Sequence, residues 1–176
     1  MRGGIQKKIL SEISLFYGDI SMPKGFEIDR SILAVETLKH TFRNLSNPTL
    51  DFPFSRAWDM LNTYIRDHIR IKYHLNLVNK SSWGNLYKPG ETTPPLLQID
   101  KVNLRNSPDY VLLYGVSSQE CNVRIYYDDN RHKGKHWDVR LQDNKFIMFP
   151  ATCLYYLTNK QHDILNFVHT ITYESI

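Results

Sequence analysis

Seven histidines, two cysteines and an acidic pair, Asp128-Asp129, are the residues of this 176-residue chain best equipped for chemistry. Their spacing argues against their acting together. His132 and His136 are four apart, an interval that aligns two metal ligands on a helix, but they flank Gly134 in "DNRHKGK", which reads as a hairpin tip. His162 and His169 are seven apart, hence on opposite faces if one strand carries both, and His40, His68 and His74 lie in a stretch of helical periodicity. Neighbouring strand residues point apart, so Asp128 and Asp129 make a turn opener, "YDDN", rather than a catalytic carboxylate pair. No nucleophile elbow or oxyanion motif accompanies any serine or cysteine. Cys121 and Cys153 have no metal-ligand spacing and are expected to be buried free thiols. The residues themselves nominate no catalytic, cofactor-binding or metal-binding set, and no cofactor is expected.

The elements that would have to position such residues divide the chain in two. Residues 1–74 carry helical spacing. Ile9, Ile13 and Phe16 recur at intervals of four and three and predict a first helix, ended by the connector "GDISMPKGFE". Asp29 can cap a second, with Ile32, Val35, Leu38 and Phe42 along it. After the loop "NLSNPTLDFP", Pro53 suits the first turn of a third helix with Trp58, Leu61, Ile65 and Ile69 in one stripe. Arg56, Arg66, Arg70 and Lys72 fall mostly outside that stripe and read as a solvated face. In residues 75–176 the period changes to two. Short β-rich runs such as "DYVLLYGV", "CNVRIYYD", "HWDVRL" and "KFIMF" follow one another at about ten-residue spacing, broken by Gly, Pro, Asn and Asp. This is the pattern of an antiparallel sandwich, with inward positions expected at Val111, Leu113, Val123, Ile125, Phe146, Met148 and Phe167. The expected fold class is α+β, with N-terminal helices packed on a β-sandwich as one cooperative unit.

Composition sets the outer limits. Apolar residues at 41% and charged residues at 23% are those of an ordinary globular domain. No apolar run approaches the ~18–20 residues that cross a bilayer, and the N-terminal stretch lacks the pattern of a secretory signal. The formal charge of +4 is scattered, too weak to argue for direct nucleic-acid binding.

Four stretches carry a resemblance to a known family: "SSWGNLYKPGETTPP", "DYVLLYGV", "RIYYDD" and "NKFIMFPATCLYYLTNKQHDILNFVHTITYES". In order and spacing they resemble the double-stranded β-helix (jelly-roll) oxygenases that use Fe(II) and 2-oxoglutarate, over roughly residues 82–174. The resemblance implies an iron held by two histidines and a carboxylate, and a basic residue near the last strand to pair with the co-substrate. At the first position, after Pro94-Pro95, this chain has Leu96, Leu97, Gln98, Ile99 and Asp100. The distal histidine should fall near Tyr155 or Tyr156, and the basic anchor around Leu165 to Phe167, where neither is present. The resemblance thus implies a metal-free jelly roll, a pseudoenzyme with Leu96 or Leu97 filling the ligand space and Asp100 exposed or hydrogen-bonded.

A helical arm before a degenerate jelly roll also resembles the tail-completion (tail-terminator) proteins of T4-like contractile-tailed phages. That likeness implies a structural virion protein, assembled in the host cytoplasm, that caps the tail tube and stabilises the sheath end as a ring. Its partners would be other copies of itself and tail-tube, sheath or neck proteins. The candidate interface residues are Ile9, Ile13 and Phe16 on the first helix and Arg131, His132, Lys133 and Lys135 at the basic tip. The alternatives are an oxygenase with a non-standard site, or a binding module for a host protein.

Overall fold

The computed structural model describes residues 13–20, 42–43, 56–128 and 134–176. These form α1 (Arg56–Tyr73) and nine strands: β1 (Phe16–Asp19), β2 (Phe42–Arg43), β3 (Leu77–Tyr87), β4 (Tyr110–Ser117), β5 (Cys121–Asp128), β6 (Lys135–Leu141), β7 (Lys145–Pro150), β8 (Leu154–Asn159) and β9 (Asn166–Ser175). A six-stranded sheet has the order β1-β7-β4-β9-β3-β2, and a three-stranded sheet the order β6-β5-β8. Every strand pairing is antiparallel except the two-residue β2–β3 ladder.

Two cores follow from the alternation of side chains. Between the sheets lie Val111, Leu113, Ile147, Phe149 and Val168 from the large sheet and Cys121, Val123, Ile125, Leu141, Tyr155 and Leu157 from the small one. On the other face of the large sheet, Leu112, Tyr114, Met148, Ile171 and Tyr173 meet α1. The helix buries its Trp58, Leu61, Ile65 and Ile69 stripe there. Asp59 in its first turn and Arg70 and Lys72 in its last complement the helix dipole. Two specific contacts join it to β9: Trp58 stacks on His169 with ring centroids 3.4 Å apart, and Tyr173 Oη donates to Asn62 Oδ1 at 2.7 Å. With both faces covered, β9 is buried along most of its length.

Several expectations need correction. Residues 13–15 are not helical and Phe16 begins a strand, because "FYGD" finds an unpaired edge on β7, with Phe16 opposite Met148 and Asp19 opposite Lys145. Sheet hydrogen bonds and the Tyr73 and Tyr110 rings beside Phe16 outweigh a short run of helical spacing. Among the described residues α1 is the only α-helix, and the second expected helix lies almost wholly outside them. "LNLVN" and "WGNLY" are one strand with an irregularity between Asn79 and Ser81, not two. "LLQID" contributes only a single bridge, at Leu96. Phe146, Met148 and Phe167 face the helix-side core rather than the space between the sheets.

Candidate functional site

The two stretches in which an iron triad was sought are brought together. Residues 91–96 run along β8 as a ragged extra strand, bridging Thr92 to Thr158 and Leu96 to Tyr155. Leu96 N–H donates to Tyr155 O at 2.9 Å and Tyr155 N–H returns to Leu96 O at 3.0 Å. Pro94 and Pro95 have no N–H to give, which interrupts the ladder between those bridges. The polypeptide then leaves the sheet, and Gln98 Nε2 reaches back to Tyr155 Oη at 3.0 Å.

What occupies this position is therefore an aliphatic side chain, an amide and a phenol. Leu96 and Tyr155 are buried. Burial pushes the Tyr155 phenol well above its ordinary pKa, with the Gln98 hydrogen bond working weakly the other way. A neutral phenol that shares a hydrogen bond with a neutral amide supplies no anionic ligand, so the set does not fit the iron of a two-histidine, one-carboxylate site. Asp100 is exposed. Its Oδ1 accepts from the N–H groups of Val102 (2.8 Å) and Asn103 (3.1 Å), and its own N–H donates to Ser107 Oγ at 2.7 Å. At the anchor position Leu165 is exposed and Phe167 packs against the helix-side core. Asn166 between them is buried, its Oδ1 accepting from Gln119 N–H at 3.2 Å, so an uncharged amide stands where a cation was sought. Among the described residues no three His, Cys, Asp or Glu side chains converge as metal ligands.

Tyr155 also divides the open end of the sandwich. On its hydroxyl side, Gln98 lines a polar hollow of about 460 Å³ with Lys80, Trp83, Asp100 and Thr172. On its ring side, Phe149 meets it edge-on at 5.0 Å and forms part of an apolar groove of about 370 Å³. Ile13, Leu15, Ile125, Tyr127, Trp137 and Cys153 complete most of that groove. Tyr17 closes the seam between the sheets beside it, its ring edge-on to Trp137 at 6.0 Å. Sequence reading missed this groove. Trp137 carried the only signal, as an aromatic residue amid the polar run "KHWD", but the pairing of Trp137 with Ile125 that aims it inward is not legible in one strand.

Of the candidate interface residues, Ile9, Arg131, His132 and Lys133 lie outside the described residues. Ile13 is exposed at the groove, Phe16 is half-buried in β1, and Lys135 is exposed at the start of β6. Both cysteines are free and buried, as expected. Among the described residues no helix is long and apolar enough to cross a membrane.

No protein-family profile matches the sequence, and no curated protein matches it. Solved structures do match. A Pseudomonas putida prolyl-4-hydroxylase aligns with a TM-score of 0.61 at 14% identity, over 91% of this chain and 84% of its own. The viral collagen prolyl hydroxylase of Paramecium bursaria Chlorella virus-1, solved with 2-oxoglutarate, gives 0.61 at 14% identity over 92% and 96%. The non-heme α-ketoglutarate-dependent epimerase SnoN of nogalamycin biosynthesis gives 0.62 at 9% identity over 90% and 76%. At these identities the likeness is one of fold. It supports the double-stranded β-helix and overturns the expectation of a phage tail-terminator protein, because these neighbours are Fe(II)/2-oxoglutarate oxygenase-fold proteins. Helical spacing before a β-rich half had suggested the tail protein, and such a pattern is common to many α+β chains. The chain has the fold of the Fe(II)/2-oxoglutarate oxygenases.

Proposed function

We propose that this protein is a binding module built on the oxygenase fold, with the iron chemistry removed and the open end of the sandwich kept as a ligand site. The observation that supports this reading is the Gln98–Tyr155 hydrogen bond beside the Leu96–Tyr155 bridge. It joins by direct contact the two segments that a metal would otherwise bridge. The same residues account for the order of this end of the sandwich: Tyr155 is packed by Phe149, held by Gln98 and paired in register with Leu96. A lone carboxylate buried without a cation would cost several kcal/mol, and the chain avoids that cost because Asp100 is exposed and its Oδ1 accepts two backbone N–H groups.

The test is direct. Purified protein is incubated anaerobically with Fe(II) and 2-oxoglutarate, desalted, assayed for bound iron, and then exposed to oxygen while succinate is measured. Neither stoichiometric iron nor succinate is expected. Iron retained near one equivalent together with 2-oxoglutarate-dependent succinate release would instead establish an oxygenase with a non-standard ligand set.

A further inference from the structure

We infer that the apolar groove on the ring side of Tyr155 binds a planar aromatic small molecule between Trp137 and Tyr127. The groove continues the core between the sheets outward. Its floor is Ile125, Phe149 and Cys153, and its volume of about 370 Å³ lies in the range of small-molecule sites. Its walls come from β5, β6, β7 and the segment before β1, so it is a hollow of limited extent rather than a track along one strand. That shape favours a compact ring system over a length of polypeptide.

The walls are large, apolar and left in water: Trp137 is 48% exposed, Tyr127 41% and Ile13 51%. Aromatic faces and edges in such an arrangement gain most from another ring placed edge-on or offset against them. Trp137 already takes Tyr17 in this way on one side, which leaves the groove side for a ligand. The strand that carries Trp137 is clamped from the opposite face of the sheet by a bidentate pair, Arg124 Nε to Asp138 Oδ1 at 2.7 Å and Arg124 Nη2 to Asp138 Oδ2 at 2.9 Å. The Tyr127 hydroxyl is the polar group at hand for an acceptor on the ligand. This deepens the reading of a binding module, but it is independent of iron: a chain that proved to be an active oxygenase would overturn that reading and leave groove binding to be judged by itself.

Cys153 supplies a reporter. It lines the groove, whereas Cys121 is sealed in the core with its thiol pushed up to about 12 by burial. Burial raises Cys153 as well, so alkylation by iodoacetamide at alkaline pH should be slow and confined to Cys153. With 8-anilinonaphthalene-1-sulfonate as probe, we expect saturable fluorescence enhancement with one probe per chain and slower alkylation of Cys153 in proportion to occupancy. Trp137→Ala should weaken probe binding about tenfold, the equivalent of one lost aromatic contact, and Trp137→Phe should restore most of it. Circular dichroism of both variants separates loss of the wall from loss of the fold. Absence of saturable binding, or binding that neither protects Cys153 nor responds to Trp137→Ala, overturns the proposal. So does protection of Cys153 by an aromatic-rich peptide when the free probe gives none, an outcome that would make the groove a polypeptide-docking surface.

Discussion

Tyr155 does at residue scale what a metal does in an oxygenase: it ties the segment after Pro95 to the start of β8. Tyr155→Phe removes one side of that tie and should cost about 1 kcal/mol, as for a neutral hydrogen bond whose half-buried partner can still find water, read as a shift in denaturation midpoint at unchanged m-value. His169 makes a second residue-scale prediction. It is buried against Trp58, and burial holds its pKa well below the ordinary value, only partly offset by a backbone hydrogen bond with Trp83. The imidazole is therefore neutral in the folded protein at pH 7 and protonates more readily in the unfolded chain. The stability this difference carries is complete above pH ~6.5 and is lost as pH falls below it, with a slope approaching 1.4 kcal/mol per pH unit. Denaturant titrations from pH 7.5 down to 5 should show this slope, and His169→Gln should flatten it.

At the scale of elements, two segments come close together at Gly115. A Cβ there would stand 2.1 Å from the carbonyl oxygen of Gln142, in the turn that joins β6 to β7. The turn is fastened to β4 at this point: Asn144, with φ 61°, donates its N–H to Gly115 O at 2.8 Å, accepts Tyr114 Oη on its Oδ1, and donates its Nδ2 to Ile20 O. Gly115→Ala should destabilise by about 1–3 kcal/mol through overpacking, seen as a lower midpoint in chemical denaturation. Much of this level was legible in the sequence. The period-two runs marked β4, β5, β7 and β9, and the stripe of Trp58, Leu61, Ile65 and Ile69 marked α1. What failed was anything that depends on a partner element. Phe16 joined a strand because β7 offered an edge. Met148 faced the helix rather than the small sheet because α1 covers the outer face of β7. The ligand-bearing positions were readable because they are defined by spacing in the chain; the groove was not, because its walls come from four segments that only the sheets bring together.

For the whole molecule, the most consequential feature is the place of β9. β9, Asn166–Ser175, follows every other described strand in the sequence, yet it lies between β3 and β4 in the middle of the large sheet and contributes His169, Ile171 and Tyr173 to the bed of α1. The fold therefore cannot be assembled from its N-terminus as the ribosome delivers it. Until Asn166 and its successors clear the exit tunnel, β3 and β4 each wait with an unpaired edge and α1 lacks part of its seat, for a time set by a translation rate of about 5–20 residues per second. Bare strand edges of this kind recruit other chains. Nascent chains arrested with β9 still in the tunnel should remain sensitive to protease and associate with chaperones, and release of a further stretch of linker should convert them in one step to the resistant form. Intermediate resistance of chains that lack β9 would mean instead that the small sheet and helix can close without it. On this topology a chain interrupted within Asn166–Ser175 yields not a slightly trimmed protein but an unfolded one, whatever the length of correct sequence before the break.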